Sequence, residues 1–213
     1  MAVTETRLLV LGAVVLFEPV NGYQIRRELM SWEVDEWAHI NPGSIYSSLG
    51  TLTKQGHLRR HDLTEGSREV AVYTSTESGR AQLAELFGRA LETVELLDAL
   101  PLHTALSMCT LFDRATVEGH LARRVDALAV HLEVLAGKAA AARDVAPPHV
   151  ARVVELQLAT AEVELAWVRD LVAEIRAGGL AFAGEPMGWQ PAPDDPGWQM
   201  AADRDRYRRL LHL

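Results

Sequence analysis

A helical pattern over residues 41–56 places small hydroxyl side chains away from an apolar stripe. Ile45, Leu49 and Leu52 recur at i, i+4 and i+7, which predicts that they face a core. The hydroxyl residues between them then lie on other faces, where they permit close approach and donate hydrogen bonds to phosphates or base edges. These residues are Ser44, Ser47, Ser48 and Thr51. The pattern is compatible with a helix that contacts nucleic acid.

Basic side chains follow this helix in the sequence. Lys54 lies at its end, Arg59 and Arg60 begin the next segment, and Arg68 follows at a turn. At these places we expect the cations to neutralise phosphates. Tyr23 lies near the start of an earlier helix, where its hydroxyl and the helix N–H groups could meet a phosphate.

The net charge of the chain is acidic, which at first argues against nucleic acid. Its 213 residues include 21 Lys+Arg and 29 Asp+Glu, a formal charge of −8. Residues 39–68 are an exception, with four basic and two acidic residues and a net charge of +2. The local potential matters more for binding than the net count. We therefore predict few phosphate contacts per subunit and a dependence on a dimer.

Other chemistry has little support in the sequence. His57, His61 and Asp62 could be read as metal ligands, but no second cluster is near in sequence, so solvated residues are the commoner explanation. Cys109 lies in an apolar segment and reads as a buried, inert thiol. No Gly-rich phosphate loop, serine elbow or zinc-protease helix occurs. We expect no enzymatic activity, no metal and no cofactor.

Three tryptophans are candidates for binding a small effector. Trp32 and Trp37 flank an acidic linker, and Trp167 lies on a long helix near the C-terminal end. Any of them could stack on a small planar or aromatic molecule in a dimer cleft. Core or interface packing is the competing role, because a tryptophan buries a large area.

The presence of one cysteine and the hydropathy of the chain predict a cytoplasmic protein. One cysteine excludes a disulfide framework and suits a reducing compartment. No apolar run approaches the roughly 20 residues of a membrane helix. Residues 1–5 contain no basic side chain, so we do not expect the apolar segment 8–17 to be a secretory signal.

The N-terminal half follows an order of helix, helix, helix, hairpin, helix. We predict helices over residues 5–17, 23–30 and 42–55, strands over 58–63 and 69–75, and a helix from Thr76 to about Asp98. Gly56 ends the third helix in a left-handed conformation. Three helices followed by a two-stranded wing define the winged helix-turn-helix. Residues 1–98 are therefore predicted to be a DNA-binding domain.

The C-terminal half predicts an antiparallel helical hairpin. A short helix over 103–111 precedes long helices over 114–143 and 149–177, which are separated by Pro147 and Pro148. Apolar residues recur along both long helices at alternating steps of 4 and 3, as in a coiled coil. The predicted dimerisation residues are Leu121, Val125, Leu128, Leu132, Leu158, Leu165, Val168 and Val172. Packing of the hairpin on itself is the alternative, and residues 99–179 are assigned as a dimerisation domain.

Residues 180–213 form a tail that is rich in Trp and Pro. Trp189 and Trp198 lie in it, and a short basic helix is predicted over 205–211. We expect the tail to pack on the core through its tryptophans, because disordered tails seldom contain so many large apolar residues. The predicted fold class is mainly α, a winged helix-turn-helix plus a helical hairpin, in a dimer.

Three linked motifs resemble the PadR family of bacterial transcription regulators. They are GYQI at 22–25, NPGSIYSSLGTLTKQGHL at 41–58 and VYTSTESG at 72–79, which correspond to the family's GY-x-I helix, PGS-x-Y recognition helix and strand-to-helix junction. The long hairpin is similar to the dimerisation domain of the longer, Vir-like members. The resemblance implies a homodimeric regulator, most often a repressor of adjacent genes, that binds an inverted repeat in double-stranded DNA and is released by a small molecule. It also implies that Tyr46 lies near the DNA backbone, with packing as its alternative role.

Two functions from different classes remain. The first is the ligand-responsive DNA-binding repressor, favoured by the basic segment and the intact recognition motif. The second is a winged-helix scaffold whose acidic surface binds a protein. The second is favoured by Val70 and Ala71, which stand where the family carries basic residues in the second wing strand.

Overall fold

The computed structural model describes residues 2–188 and 190–213, and the chain divides into two compact units. One unit combines the residues up to Phe87 with those from Met187 onward, and the other spans Gly88–Pro186. The predicted division into 1–98, 99–179 and 180–213 differs from this one, because most of the tail groups with the N-terminal helices. Trp189 of the tail lies outside the described residues.

The first unit is built around an apolar N-terminal helix. Leu9, Val10 and Leu11 of this helix are fully buried, so it forms the centre of the unit. Around it lie three further helices, including the one predicted to contact DNA, and the start of a fifth, longer one. The helices are α1 (Ala2–Phe17), α2 (Gly22–Ser31), α3 (Val34–Trp37), α4 (Pro42–Lys54) and α5 (Glu77–Glu92).

A small antiparallel sheet completes this part of the unit. It contains β1 (Val20–Asn21), β2 (Leu58–Glu65) and β3 (Arg68–Ser75) in the order β1-β3-β2. Leu58 lies opposite Ser75 and Glu65 opposite Arg68, so β2 and β3 form the predicted hairpin. The two-residue strand β1 was not predicted, since its pairing with Tyr73 and Val72 is a tertiary contact. The predicted winged helix-turn-helix fold is confirmed.

Helix α5 is shorter than predicted. It ends at Glu92 rather than near Asp98. Arg124 explains the early end, because its Nη1 donates to the carbonyl oxygens of Leu91 and Thr93 at 2.9 and 2.7 Å. These contacts satisfy carbonyls at the end of a helix that have no partner within it.

The second unit contains the predicted helical hairpin. Its helices are α6 (Leu100–Leu106), α7 (Arg114–Val145) and α8 (Pro148–Arg176), with a short 3₁₀ turn at Cys109–Leu111. The predicted helix over 103–111 is therefore split in two. Asp113 begins α7 as an N-cap, since its Oδ1 accepts a hydrogen bond from the Thr116 N–H at 2.8 Å. Leu121, Leu128 and Val168 are fully buried where the long helices pack together.

The C-terminal helix is longer than predicted and is held by different residues. Helix α9 spans Gly197–Leu211 instead of 205–211. Tyr207 and Met200 are buried, at 1% and 4% exposure, whereas Trp198 is 49% exposed. Helix α9 thus packs through a tyrosine and a methionine rather than through Trp198, and sequence periodicity could not tell these residues apart.

Hydropathy along the described helices gives no membrane span. Among them, none is both long enough and apolar enough to cross a bilayer.

Candidate nucleic-acid interface

Helix α4 is positioned by its cap and by its buried stripe. The Asn41 side chain accepts a hydrogen bond from the Ser44 N–H at 2.9 Å, and Pro42 occupies the first turn. Ile45, Leu49 and Leu52 are at most 1% exposed, which fixes the rotation of the helix about its axis. Gly56 follows at φ +77°, a conformation that favours glycine and turns the chain into β2.

The face opposite this stripe is open to solvent. Ser47, Gly50, Thr51 and Lys54 lie at i, i+3, i+4 and i+7 and are all exposed. Gly50 adds no side chain, so the backbone is accessible in the middle of this face. Two hydroxyls and one ammonium therefore line a continuous helical surface, and Ser44 is half-buried at its first turn.

Ser48 does not lie on this open face, contrary to its assignment as a residue that contacts DNA. It is 9% exposed and belongs to the buried side, one position from Leu49. Its Oγ has no hydrogen-bond partner among the described residues. The sequence did not distinguish it from Ser47 because both are small and polar, and only the rotation of the helix separates them.

Two tyrosines stand beside the helix face. Tyr23 is 58% and Tyr46 is 46% exposed, which leaves both hydroxyls accessible. Gly22 allows their helices to approach, since a Cβ at this position would lie 3.2 Å from Cε1 of Tyr46. The Arg26 guanidinium lies 5.3 Å from the centroid of the Tyr23 ring and adds a cation to the same helix.

The start of α2 is held by a reciprocal cap. The Asn21 side chain accepts from the Gln24 N–H at 2.9 Å, and the Asn21 N–H donates to Oε1 of Gln24 at 3.2 Å. This arrangement uses one N–H of the first turn. Tyr23 lies within this turn, which is the geometry that sequence reasoning assigned to a phosphate contact.

The arginines of the wing are exposed, and one of them forms an ion pair within the wing. Arg59, Arg60 and Arg68, to which phosphate contacts were assigned from the sequence, are all exposed. Arg60 donates to Asp62 at 2.7–2.8 Å, and this hydrogen bond raises the pKa of Arg60. The pair is exposed, so it can open when a stronger acceptor such as a phosphate is present.

The histidines of the wing hydrogen-bond to neighbouring hydroxyls. His61 Nε2 lies 2.9 Å from Thr74 Oγ1, and His57 Nδ1 lies 3.0 Å from Ser78 Oγ. Burial lowers the pKa of His61, and the charge of Arg59 lowers it further. His61 is therefore neutral near pH 7 and adds no cation to the interface. No group of three potential metal ligands occurs in the described chain.

A concavity opens between the start of α4 and α1. Its volume is about 500 Å³, and its lining includes Arg7, His39, Ser47 and Thr51. Arg7 was not assigned a role from the sequence, because it lies within an otherwise apolar segment. Its place beside Ser47 shows that the accessible surface of α4 extends to a further cation.

Two of the three candidate effector tryptophans, Trp32 and Trp37, lie together in the first unit. Trp37 Nε1 donates to the Trp32 carbonyl oxygen at 2.7 Å, and the Trp32 ring lies 6.3 Å from that of Phe17. Both tryptophans are half-buried, so packing accounts for much of their surface. Trp167 lies on α8 in the other unit and is 48% exposed.

The predicted dimerisation residues are mostly used within one chain. Five of them are less than 9% exposed because α7 and α8 pack together, and Val125, Leu132 and Leu158 are half-buried. Sequence periodicity locates such a stripe but does not say which helix covers it. The five residues that are less than 9% exposed are Leu121, Leu128, Leu165, Val168 and Val172.

Three features define the fold class of the first unit. They are a capped helix with a polar outer face, a first helix that packs behind it, and a β-wing. The first unit is a winged helix-turn-helix, the fold of many DNA-binding transcription regulators. Residues 10–85 match the model of the transcriptional regulator PadR-like family. Residues 10–85 are therefore a domain of the PadR-like family, and over these residues the family resemblance of the motifs is confirmed.

Solved structures similar to the chain include several regulators. Bacillus subtilis PadR in complex with operator DNA is 20% identical, with 78% of this chain and 97% of that chain covered and a TM-score of 0.34. The PadR-like transcriptional regulator BC1756 from Bacillus cereus is 17% identical, with coverages of 79% and 94% and a TM-score of 0.31. Bacillus subtilis PadR in complex with p-coumaric acid is 19% identical, with coverages of 80% and 97% and a TM-score of 0.31. No curated protein matches the chain significantly.

Proposed function

We propose that the protein is a homodimeric repressor that binds an inverted repeat in double-stranded DNA near its own gene. The observation that carries this proposal is the open face of α4. Ser47, Thr51 and Lys54 form one exposed row on a helix whose opposite side is buried. Such a helix enters the major groove in related folds, with its polar side towards the bases. The function is binding and regulation in the cytoplasm rather than catalysis.

The division of labour follows from side-chain chemistry. The hydroxyls of Ser47 and Thr51 reach base edges or phosphates at close range, and Ser44 contributes at the first turn. Lys54, Arg59, Arg60 and Arg68 neutralise phosphates, with Tyr23 and Tyr46 as hydrogen-bond donors to the backbone. Ser48 is not part of this set.

A dimer is needed because one subunit offers few cations. Two copies related by a twofold axis double the contacts and match an inverted repeat. The outward sides of α7 and α8 carry apolar residues that the hairpin leaves open: Val130 and Val134 on α7, and Leu156 and Val163 on α8, with 52–71% exposure. We propose that a second copy covers these residues, in place of the buried set.

Oligomeric state tests this part of the proposal directly. Light scattering is expected to give twice the mass of the chain, and Val163→Glu is expected to shift it towards the monomer, because a charge in an apolar contact is costly. A monomer mass for the unaltered protein at micromolar concentration would remove the dimer from the proposal.

An effector site at the tryptophans completes the proposed function. Trp32 and Trp37, or Trp167, offer indole surface to a small planar or aromatic molecule. Titration of such compounds, followed by tryptophan fluorescence and by release from DNA, tests this assignment. Substituting Trp167 by Phe separates the two locations, because it removes the signal of only one of them.

DNA binding is tested with duplexes from the region upstream of the gene. Fluorescence anisotropy at about 50 and 200 mM salt is expected to show tighter binding at low salt, as in any contact through phosphates. Lys54→Ala should weaken binding to all sequences and lower the salt slope by about 1 for each of the two bound subunits. Thr51→Ala should weaken binding mainly to the preferred sequence, because its hydroxyl faces the groove.

The competing scaffold function predicts a different result. The absence of basic residues at Val70 and Ala71 is its only specific support. If micromolar protein shows no salt-sensitive binding to any duplex, the repressor is excluded and the scaffold remains. The intact capping of α4 and its open polar face favour the repressor.

A further inference from the structure

Helix α9 is outside the residues that match the family model, yet it packs on the helices of the first unit. Because this unit contains α4, we call it the DNA-binding unit. Asn21 Nδ2 donates to the Tyr207 hydroxyl at 3.0 Å, and Gln24 Nε2 donates to Asp203 Oδ2 at 2.9 Å. Asn21 and Gln24 are the two residues of the α2 cap. The C-terminal helix is therefore attached to the end of α2 where Tyr23 is exposed.

Burial makes this attachment stable. Met200 and Tyr207 point into the unit at 4% and 1% exposure, and Arg27 Nη2 donates to the Pro196 carbonyl oxygen at 3.3 Å. A buried tyrosine whose hydroxyl is hydrogen-bonded holds both the position and the rotation of a helix. Helix α9 therefore does not rotate about its axis, and the same residues of it always face solvent.

Those outer sides are basic. Residues 197–213 include four arginines and two aspartates, a net charge of +2 in an acidic chain, and Arg206, Arg208 and Arg209 are exposed whereas Arg204 is half-buried. Asp203 accepts from Gln24 and also pairs with Arg206 at 3.0 Å. Arg208 and Arg209 are exposed in the last turn.

The last turn of α9 lies beside the wing. Arg208 and Arg59 line the same open concavity of about 610 Å³, together with Glu18 and Glu77. The negative charge of Glu18 is compensated by its own partners. Its carboxylate accepts hydrogen bonds from the Ser75 N–H at 2.5 Å and from Ser75 Oγ at 3.0 Å, and it pairs with Arg80. Arg59 is one of the residues to which a phosphate contact is assigned.

We propose that α9 is an additional DNA-contacting element, in which Arg208 and Arg209 bind backbone phosphates next to those bound by Arg59. This inference rests on the proposed function. The partner is the sugar–phosphate backbone of duplex DNA, since exposed guanidinium groups bind phosphate without reading bases. The prediction of few phosphate contacts, made from residues 39–68 alone, is then too low.

The experiment uses the full-length protein, with Arg208 and Arg209 both changed to alanine. A matched control changes Lys138 and Arg169, exposed residues of α7 and α8, to alanine and removes the same charge from the other unit. Binding to the upstream duplex and to an unrelated duplex of equal length is measured over a salt series. Both variants are first checked for an unchanged unfolding temperature.

The double α9 variant should bind both duplexes at least about tenfold more weakly near 0.1 M salt, because each phosphate contact contributes close to a decade between 0.1 and 1 M. Its salt slope should fall by about 1 for each phosphate that the variant no longer neutralises. Arg208→Lys with Arg209→Lys should retain most of the affinity. If alanine lowers the unfolding temperature, glutamine at both positions replaces it.

Two outcomes would overturn the inference while leaving the proposed function intact. One is an α9 variant with the affinity and salt slope of the unaltered protein. The other is an equal weakening in the Lys138/Arg169 control, which would indicate a general charge effect. If the unaltered protein binds neither duplex in a salt-sensitive way, the proposed function itself fails.

Discussion

Glycines at contact points control how closely the elements of the DNA-binding unit approach. A Cβ on Gly79 would lie 2.0 Å from the His57 carbonyl oxygen, a separation that no side chain tolerates. This glycine lets the start of α5 pack against the start of β2, where Thr76 Oγ1 donates to the Gly56 carbonyl oxygen at 2.7 Å. The glycine of the family's strand-to-helix motif, Gly79 in this chain, is therefore required for steric reasons.

Alanine substitutions at two glycines should have opposite effects. Gly79→Ala is expected to destabilise the protein by about 1–3 kcal/mol, because backbone atoms must move. Gly50→Ala should stabilise it by about 0.5–1 kcal/mol, since the position is helical and nothing lies within 4 Å of the added Cβ. Urea unfolding of both variants checks the pair, and a shift of the same sign in both would contradict the steric explanation.

His61 should make the stability of the protein depend on pH. Its pKa is lowered in the folded state by burial and by Arg59, so the unfolded chain binds the proton more readily. The contribution is complete above the unfolded pKa of about 6.5 and is lost as the pH falls towards the lower folded value.

His61→Gln should remove this part of the acid destabilisation. Thermal unfolding between about pH 7.5 and 5 measures it, starting above the ordinary histidine pKa. His149→Gln, at an exposed position of α8, serves as the control. If the two variants lose stability equally with falling pH, the role of His61 is wrong.

At the scale of elements, the end of α5 is decided by a buried arginine. Arg124 is 2% exposed and pairs with Glu164 while it donates to two carbonyl oxygens. It lies on the apolar side of α7, where the periodic pattern did not count a charged residue. One side chain thereby connects α5, α7 and α8 within the second unit.

Removing this arginine should be costly. Arg124→Met leaves Glu164 and two carbonyls without their partner, and we expect the free energy of unfolding to fall by about 3 kcal/mol. The double variant Arg124→Met/Glu164→Leu should recover part of it, because no unpaired carboxylate remains near the core. Denaturant unfolding of the two single variants and the double variant forms a double-mutant cycle, and additive effects would show that the pair is not coupled.

At the scale of the whole molecule, the chain leaves the DNA-binding unit after Phe87 and returns to it at Met187. The returning segment contributes Tyr207 to the packing of that unit and hydrogen-bonds to its α2 cap. The DNA-binding unit is therefore built from two distant parts of the sequence. A fragment that ends with α5 would lack one of its buried aromatic residues.

Substitutions at Tyr207 should quantify this contribution. Tyr207→Phe removes the hydroxyl that accepts a hydrogen bond from Asn21 and should cost about 1 kcal/mol. Tyr207→Ala also opens a cavity and should cost about 3–5 kcal/mol. Thermal unfolding measures both, with Trp198→Ala as a control at a half-exposed position of the same helix. A destabilisation of the control as large as that of Tyr207→Ala would contradict the assignment.

Sequence reasoning was sufficient for the main helices, the hairpin and their order, but not for β1 and α3, because caps, turns and periodicity are local. Asn41, Gly56 and Asp113 marked helix ends that the structure confirms. The linked motifs also identified the family of the domain at residues 10–85. Ser47, Thr51 and Lys54, which the sequence placed away from the apolar stripe or at the end of the helix, are exposed in the structure.

Tertiary structure decided what the periodicity could not. It placed Ser48 on the buried side, covered the coiled-coil stripe within one hairpin and anchored α9 through Tyr207 instead of Trp198. Each of these outcomes depends on which distant segment covers a given face. A periodic pattern states that a face is apolar, whereas contacts between residues far apart in the chain determine its partner.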